Sequence, residues 1–183
     1  FQKAKGIEIV DLAGNKLIDM AYMGIGACIL GYSDADVNNA VNKVTDAGTT
    51  STLNSPEEVE LAELLLKLHP WAEMVRYARS GGEAAAIAVR LARGYTQKDR
   101  VAFCGYHGWH DWYLAANLAD DKNLDGHLLP GLEPVGVPRA LLKSALPFTY
   151  NHMEELEHII QTHDDIGTII MEPIRHTEPN NRF

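Results

Sequence analysis

The stretch RSGGEAAAIAVRLAR, Arg79–Arg93, puts two glycines directly in front of a run of strong helix formers. Ser80 suits the N-cap of that helix. Glu83, three residues on, completes a capping box, with Ser80 bonding the Glu83 N–H and Glu83 reaching back. A capping box alone does not require Gly81 and Gly82. Two missing β-carbons, beside unpaired N–H groups at the positive end of a helix dipole, also let an anion come close. A cap and a phosphate site are therefore both open readings. EMVRYAR, just before, has the look of a short buried strand over Met74–Ala78, and the helix is expected from about Glu83 to Tyr95. A turn that follows a strand and opens a helix is where open α/β sheets bind ligands. The pattern is neither GxxxxGK[ST] nor GxGxxG, so it does not point to a nucleotide.

Working outward, RVAFCGY predicts a second strand, and HGWHDWYLAANL turns into a helix. Residues 120–147, with repeated prolines and glycines, predict a long irregular segment that shapes a ligand entrance. NHMEELEHIIQTH is a helix capped by Asn151 with Glu154 at N3, and IGTIIMEP a strand ending at Glu172. Toward the N-terminus, GIEIVD and KLIDMAYM predict a hairpin around LAGN. A helix should start at Ser33, with Val37, Val41 and Val44 on one face and Gly48 as its stop. A second helix has Ser55 as N-cap, Pro56 in its first position and Glu58 completing a capping box. Leu61, Leu64, Leu65 and Leu68 line one of its faces. After residue 48 the order is helix, strand, helix, strand, irregular segment, helix, strand. That alternation predicts an α/β fold with a mostly parallel sheet and crossover helices.

The chain has 183 residues, 25 acidic against 16 basic side chains, and a formal charge of −9. That balance argues against a nucleic-acid surface. There is no uninterrupted apolar stretch long enough to cross a bilayer, and the opening FQKAKGIEIVDLAGN lacks a secretory apolar core. Cys28 and Cys104 are far apart and unpatterned, as reduced thiols of a cytoplasmic protein would be.

Two further clusters carry chemistry. FCGYHGWHDWY, Phe103–Tyr113, follows a strand and should share a rim with the glycine turn. His107, His110 and Asp111 suggest metal ligands, but no helical i, i+4 histidine pair is present and adjacent ligands point apart, so no metal is expected. An aromatic core patch and an aromatic stacked on a flat ligand both fit. Glu172 ends an apolar strand, either as a site carboxylate or as a solvated strand end.

With these residues in place, the sequence resembles the class III aminotransferases, pyridoxal-phosphate (PLP) enzymes of fold type I, and within them the glutamate-1-semialdehyde aminomutase-like group. VDLAGNKLIDM, ILGYSDADV, VRYARSGGEAAAIAVRLAR, FCGYHGWHD and IIMEP match in order over nearly the whole chain. The resemblance implies that the PLP phosphate sits on Ser80, Gly81 and Gly82. It implies that Tyr106 stacks on the pyridine ring with His107 beside it, and that Glu172 lies near the cofactor. It also implies residues 1–48 as an N-terminal hairpin and helix segment of a small domain, and 49–183 as the first part of the PLP-binding large domain. The family pattern Asn-Ser-Gly-Thr is here Arg79-Ser80-Gly81-Gly82, so the threonine hydroxyl is replaced by backbone groups. Ile25 stands where aminomutases carry a tryptophan. The family's Schiff-base lysine and the acid on the pyridine nitrogen come from strands after the Glu-Pro pair. The catalytic lysine is thus expected outside this stretch, and Lys143, ahead of that pair, is not a candidate. The implied reaction is amino transfer from an amine donor to a carbonyl acceptor, or an aminomutase rearrangement, in a homodimer. The residues alone also admit a flavin-phosphate-binding α/β enzyme, or a non-catalytic aminotransferase homologue serving as a binding module.

Overall fold

The computed structural model describes residues 1–127, 130–174 and 176–180. Cα packing divides the chain into two compact units, Phe1–Val75 and Arg76–Phe183.

The first unit opens with three short strands, β1 (Lys3–Lys5), β2 (Glu8–Val10) and β3 (Lys16–Ile18), paired antiparallel in that order. The expected hairpin is β2–β3, with Ile9 opposite Leu17. Its turn is made by Asp11, whose Oδ1 accepts from the N–H groups of Ala13 and Asn15, both at 2.8 Å. β1 leaves no sign in the residue pattern, because three residues cannot display a period of two. β3 also stops at Ile18 rather than running through Met23. The Asp19 carboxylate takes the Ala21 N–H at 2.8 Å and bends the chain away from the ladder. Asp19 also accepts the Tyr32 hydroxyl, and this hydrogen bond pushes the Tyr32 pKa up to about 12.

α1 (Ala35–Ala47) begins two residues later than Ser33, which has a φ of +52° and stands outside the helix. Asp34 is the actual cap, accepting from Asp36 and Val37 at 3.1 and 3.0 Å. Gly48 closes the helix as expected. α2 (Pro56–Leu68) starts at Pro56 behind Ser55, but the Ser55 side chain makes no cap bond. The periodic valines of α1, and Leu61, Leu64 and Leu68 of α2, are exposed. Val10 is the only buried apolar side chain among the described residues of this unit.

The second unit contains α3 (Gly81–Thr96), β4 (Arg100–Cys104), α4 (Asp111–Leu114) with a 3₁₀ turn over Ala115–Leu118, β5 (Ala145–Pro147), α5 (Met153–Thr162) and β6 (Ile166–Met171). The sheet order is β5-β4-β6 and both pairings are parallel, as the alternation of elements predicts. Alternate residues of β4 face opposite layers. Val101 and Phe103 join Val89 of α3, Trp112, Tyr113 and Leu124 on one side. Ala102 and Cys104 join Phe148, Tyr150 and Leu156 of α5 on the other.

Three expectations fail here. Met74–Ala78 is not a strand, and Met74 is 87% exposed. A strand exists through its ladder, and no described strand pairs with this segment. β5 was hidden inside the irregular segment, because it is three residues long and ends in Pro147. Asn151 is not the cap of α5. It has a φ of +68°, and its amide instead bonds the tail, donating to the Glu178 carbonyl at 2.8 Å and accepting from the Asn180 N–H at 2.9 Å. His152 holds the cap position.

Candidate functional site

Helix α3 starts at Gly81, two residues earlier than expected, so both glycines lie in its first turn. The Ser80 hydroxyl accepts from the Glu83 N–H at 3.3 Å. The Glu83 carboxylate reaches back to the Arg79 N–H at 2.8 Å. The capping box is therefore real, displaced by one residue on its return bond. The N–H groups of Gly81 and Gly82 find no acceptor among the described residues, as the geometry of a first turn dictates.

The two glycines differ in what surrounds them. A β-carbon on Gly81 would stand in open space. One on Gly82 would lie 2.9 Å from Cε1 and Nδ1 of His110. Gly108 closes on the same residue, since a β-carbon there would lie 2.7 Å from the Gly82 Cα. Gly82 is thus required by the turn after β4, which packs straight onto the start of α3. Gly81 keeps the remaining approach clear.

The turn after β4 is built as tightly. Gly105 has a φ of +99°, which swings the chain out of the strand. Its N–H donates to Nδ1 of His127 at 3.0 Å, and its carbonyl accepts from the Tyr113 hydroxyl at 3.0 Å. A β-carbon on Gly105 would come within 2.5 Å of the Glu172 Oε2, so the Glu172 side chain fills the space a larger residue would need. The Glu172 N–H donates to the Cys104 carbonyl at 3.2 Å, which ties the end of β6 to the end of β4.

Tyr106 is half-buried, its ring edge-on to Tyr113 at 5.8 Å. His107 donates from Nε2 to the Cys104 carbonyl at 2.8 Å and packs beside Trp112 and Tyr113, so it is a strut of the turn. His110 stacks on Trp109, and its buried Nδ1 has no hydrogen-bond partner. His107 and His110 thus face different neighbours. No group of three His, Cys, Asp or Glu side chains among the described residues could hold a metal ion.

The three clusters singled out in the sequence therefore meet along one rim. Gly82 touches Gly108, and Gly105 lies under Glu172, at the ends of β4 and β6. His127 was missed. A lone histidine in an irregular segment has no period or spacing to mark it, and only the fold brings it back to Gly105. His110 was noticed as a possible ligand, whereas its position is that of a filler against Gly82.

The donor set suits a phosphorylated aromatic cofactor. Two unpartnered N–H groups at a helix start, and a Ser80 hydroxyl whose own proton remains to be donated, match a phosphate dianion. The half-buried Tyr106 ring matches a flat heterocycle.

Comparison with known proteins agrees. The profile of the class-III aminotransferases matches residues 1–177. A 3-aminobutyryl-CoA aminotransferase of Cloacimonas acidaminovorans is 33% identical over 178 residues, which cover 96% of this chain and 39% of the relative. A glutamate-1-semialdehyde 2,1-aminomutase of Campylobacter hominis is 36% identical over 175 residues, covering 94% of this chain and 37% of the relative. The solved structure of an omega-transaminase from Sphaerobacter thermophilus superposes with a TM-score of 0.79 at 29% identity, over 93% of this chain and 40% of that one. The chain spans about two fifths of the length of the curated relatives it matches. The cofactor indicated by this kinship is pyridoxal phosphate. With a family profile matched almost end to end and a fold shared with a solved transaminase, the chain belongs to the class-III aminotransferase family.

Proposed function

We propose that the whole protein moves an amino group between an amine donor and a carbonyl acceptor, or along one carbon skeleton, with PLP held on the rim formed by Ser80, Gly81, Gly82, Tyr106, His107 and Glu172. The observation that carries this reading is the meeting of the glycine turn, the aromatic turn and Glu172 through Gly82, Gly108 and Gly105. In it, the Ser80 hydroxyl and the N–H groups of Gly81 and Gly82 take the phosphate. Tyr106 lies against the ring, His107 braces the backbone that presents it, and Glu172 brings a carboxylate beside the cofactor. When bound, PLP supplies an electron sink for chemistry at the amine-bearing carbon. The lysine that anchors it and the acid on its ring nitrogen lie outside this stretch, in line with the chain's share of its relatives' length.

Residues 1–48 form part of a small domain, and 49–183 form the first part of the cofactor domain. The protein acts as a homodimer, because fold type I sites are built between two subunits. Its compartment is the cytoplasm. Neither Cys28 nor Cys104 is in a disulfide, and no described helix is long and apolar enough to cross a membrane. The test is to add PLP to the full-length protein and then offer a panel of primary amines. Uptake of the cofactor as a visible absorption band, bleached by at least one amine, is expected. A full-length protein that takes up no PLP would instead be a binding module.

A further inference from the structure

The two peptide groups flanking Gly105 are each held by a buried side chain. Strand β4 ends at Cys104, and the next N–H and C=O both point at groups from outside the sheet. His127 accepts the N–H through Nδ1 at 3.0 Å, so that nitrogen carries no proton and a neutral ring bears its hydrogen on Nε2. Tyr113 donates its hydroxyl to the C=O at 3.0 Å. Both side chains are buried: His127 is 6% exposed and Tyr113 is 0% exposed. The His127 ring also packs against Phe103 of β4, with centroids 5.3 Å apart. An unmade bond at such a buried peptide is costly, so the pair fixes the orientation of Gly105.

That orientation has two consequences. A φ of +99° at Gly105 sets the direction in which the chain leaves β4, and hence where Tyr106 is presented. The empty side of Gly105 is where the Glu172 carboxylate rests. Gly105, clamped on both sides, thus sets both groups assigned above to the cofactor.

We infer that His127, together with Tyr113, is a positioning residue for the cofactor site, holding the backbone on both sides of Gly105 so that Tyr106 and Glu172 are correctly placed. This rests on the PLP reading above. It also gives residues 120–127 a purpose: part of the long irregular segment returns to the rim to brace it.

The experiment measures PLP dissociation from the full-length protein, with the visible absorption and circular dichroism of the bound cofactor as a second readout. His127→Ala removes the acceptor. It should release PLP about tenfold faster and alter the visible dichroism, the scale expected for one buried hydrogen bond. His127→Asn keeps an acceptor oxygen at nearly the same place and should restore retention and dichroism to within about twofold of wild type. Tyr113→Phe removes only the hydroxyl and should resemble His127→Ala; it keeps the inference testable if the alanine variant does not fold. Wild-type retention in both His127→Ala and Tyr113→Phe would overturn the inference while leaving the PLP reading intact. Failure of His127→Asn to recover what His127→Ala loses would overturn the acceptor role. A wild-type protein without PLP would remove the premise itself.

Discussion

The two compact units bury their apolar residues very differently. In the first, the helical pattern is clear, yet Val41 is 57% exposed and Leu64 is 51% exposed. In the second, Phe103 and Tyr113 are 0% exposed, and both faces of β4 are covered by elements of the same unit. Periodicity reports which face of a helix is apolar. It says nothing about whether a neighbour exists to cover that face. The second unit closes its own core, and the rim that carries the proposed site is built directly on it, through Phe103 to His127 and Tyr113.

The contrast is broken or sharpened by substitution. Phe103→Ala empties the centre of the second unit and should cost about 3–5 kcal/mol in a denaturant melt. A loss below about 1 kcal/mol would mean that this core is not the stabilising one. Gly108→Ala forces a β-carbon to within 2.7 Å of the Gly82 Cα at a φ of +100°. It should cost about 1–3 kcal/mol and loosen PLP. Gly81→Ala, with open space around it, should leave stability within about 0.5 kcal/mol while weakening PLP binding in a cofactor titration. That split separates an anion site from a packing site within one dipeptide. Val41→Ser in the first unit should change stability by less than about 0.5 kcal/mol.

The smallest effect expected is electrostatic. The hydrogen bond from Arg100 holds the Asp165 carboxyl below its usual value. A carboxyl lowered by folding adds stability above the ordinary carboxylate range and loses it as the pH falls through the lowered value. The pair is only half-buried and open to solvent, so the effect is small. Arg100→Gln should lower the neutral plateau of a stability-against-pH profile slightly and flatten its acid limb, the variant and the wild type converging at the acid end.

What the sequence showed, and what it hid, follows the same physics. The parallel sheet, α3, α5 and the glycine turn were legible, because their signals are local: an apolar run, a cap, a period. Met74–Ala78 is not a strand because strand formation depends on a partner to pair with, which no window of residues reveals. Asn151 has the chemistry of a cap, but its amide was claimed by Glu178 and Asn180 across a long sequence gap. In the proposed site, Ser80, Gly81, Gly82, Tyr106, His107 and Glu172 are all visible as types in a pattern. Their mutual contacts were not, since Gly82 against Gly108 and Gly105 against Glu172 are long-range events. His127 acts through one long-range bond to a backbone N–H, and no local pattern encodes that.

The most direct test of the central claim is a PLP titration of the full-length protein and of Tyr106→Ala, each followed by visible absorption and by a thermal melt. The rim described here predicts a saturable visible band in the wild type. In Tyr106→Ala it predicts affinity about tenfold weaker with the melting temperature nearly preserved. A wild type that shows no band, or a Tyr106→Ala protein that loses PLP only as far as it loses its fold, would contradict it and leave Tyr106 as an aromatic of the core.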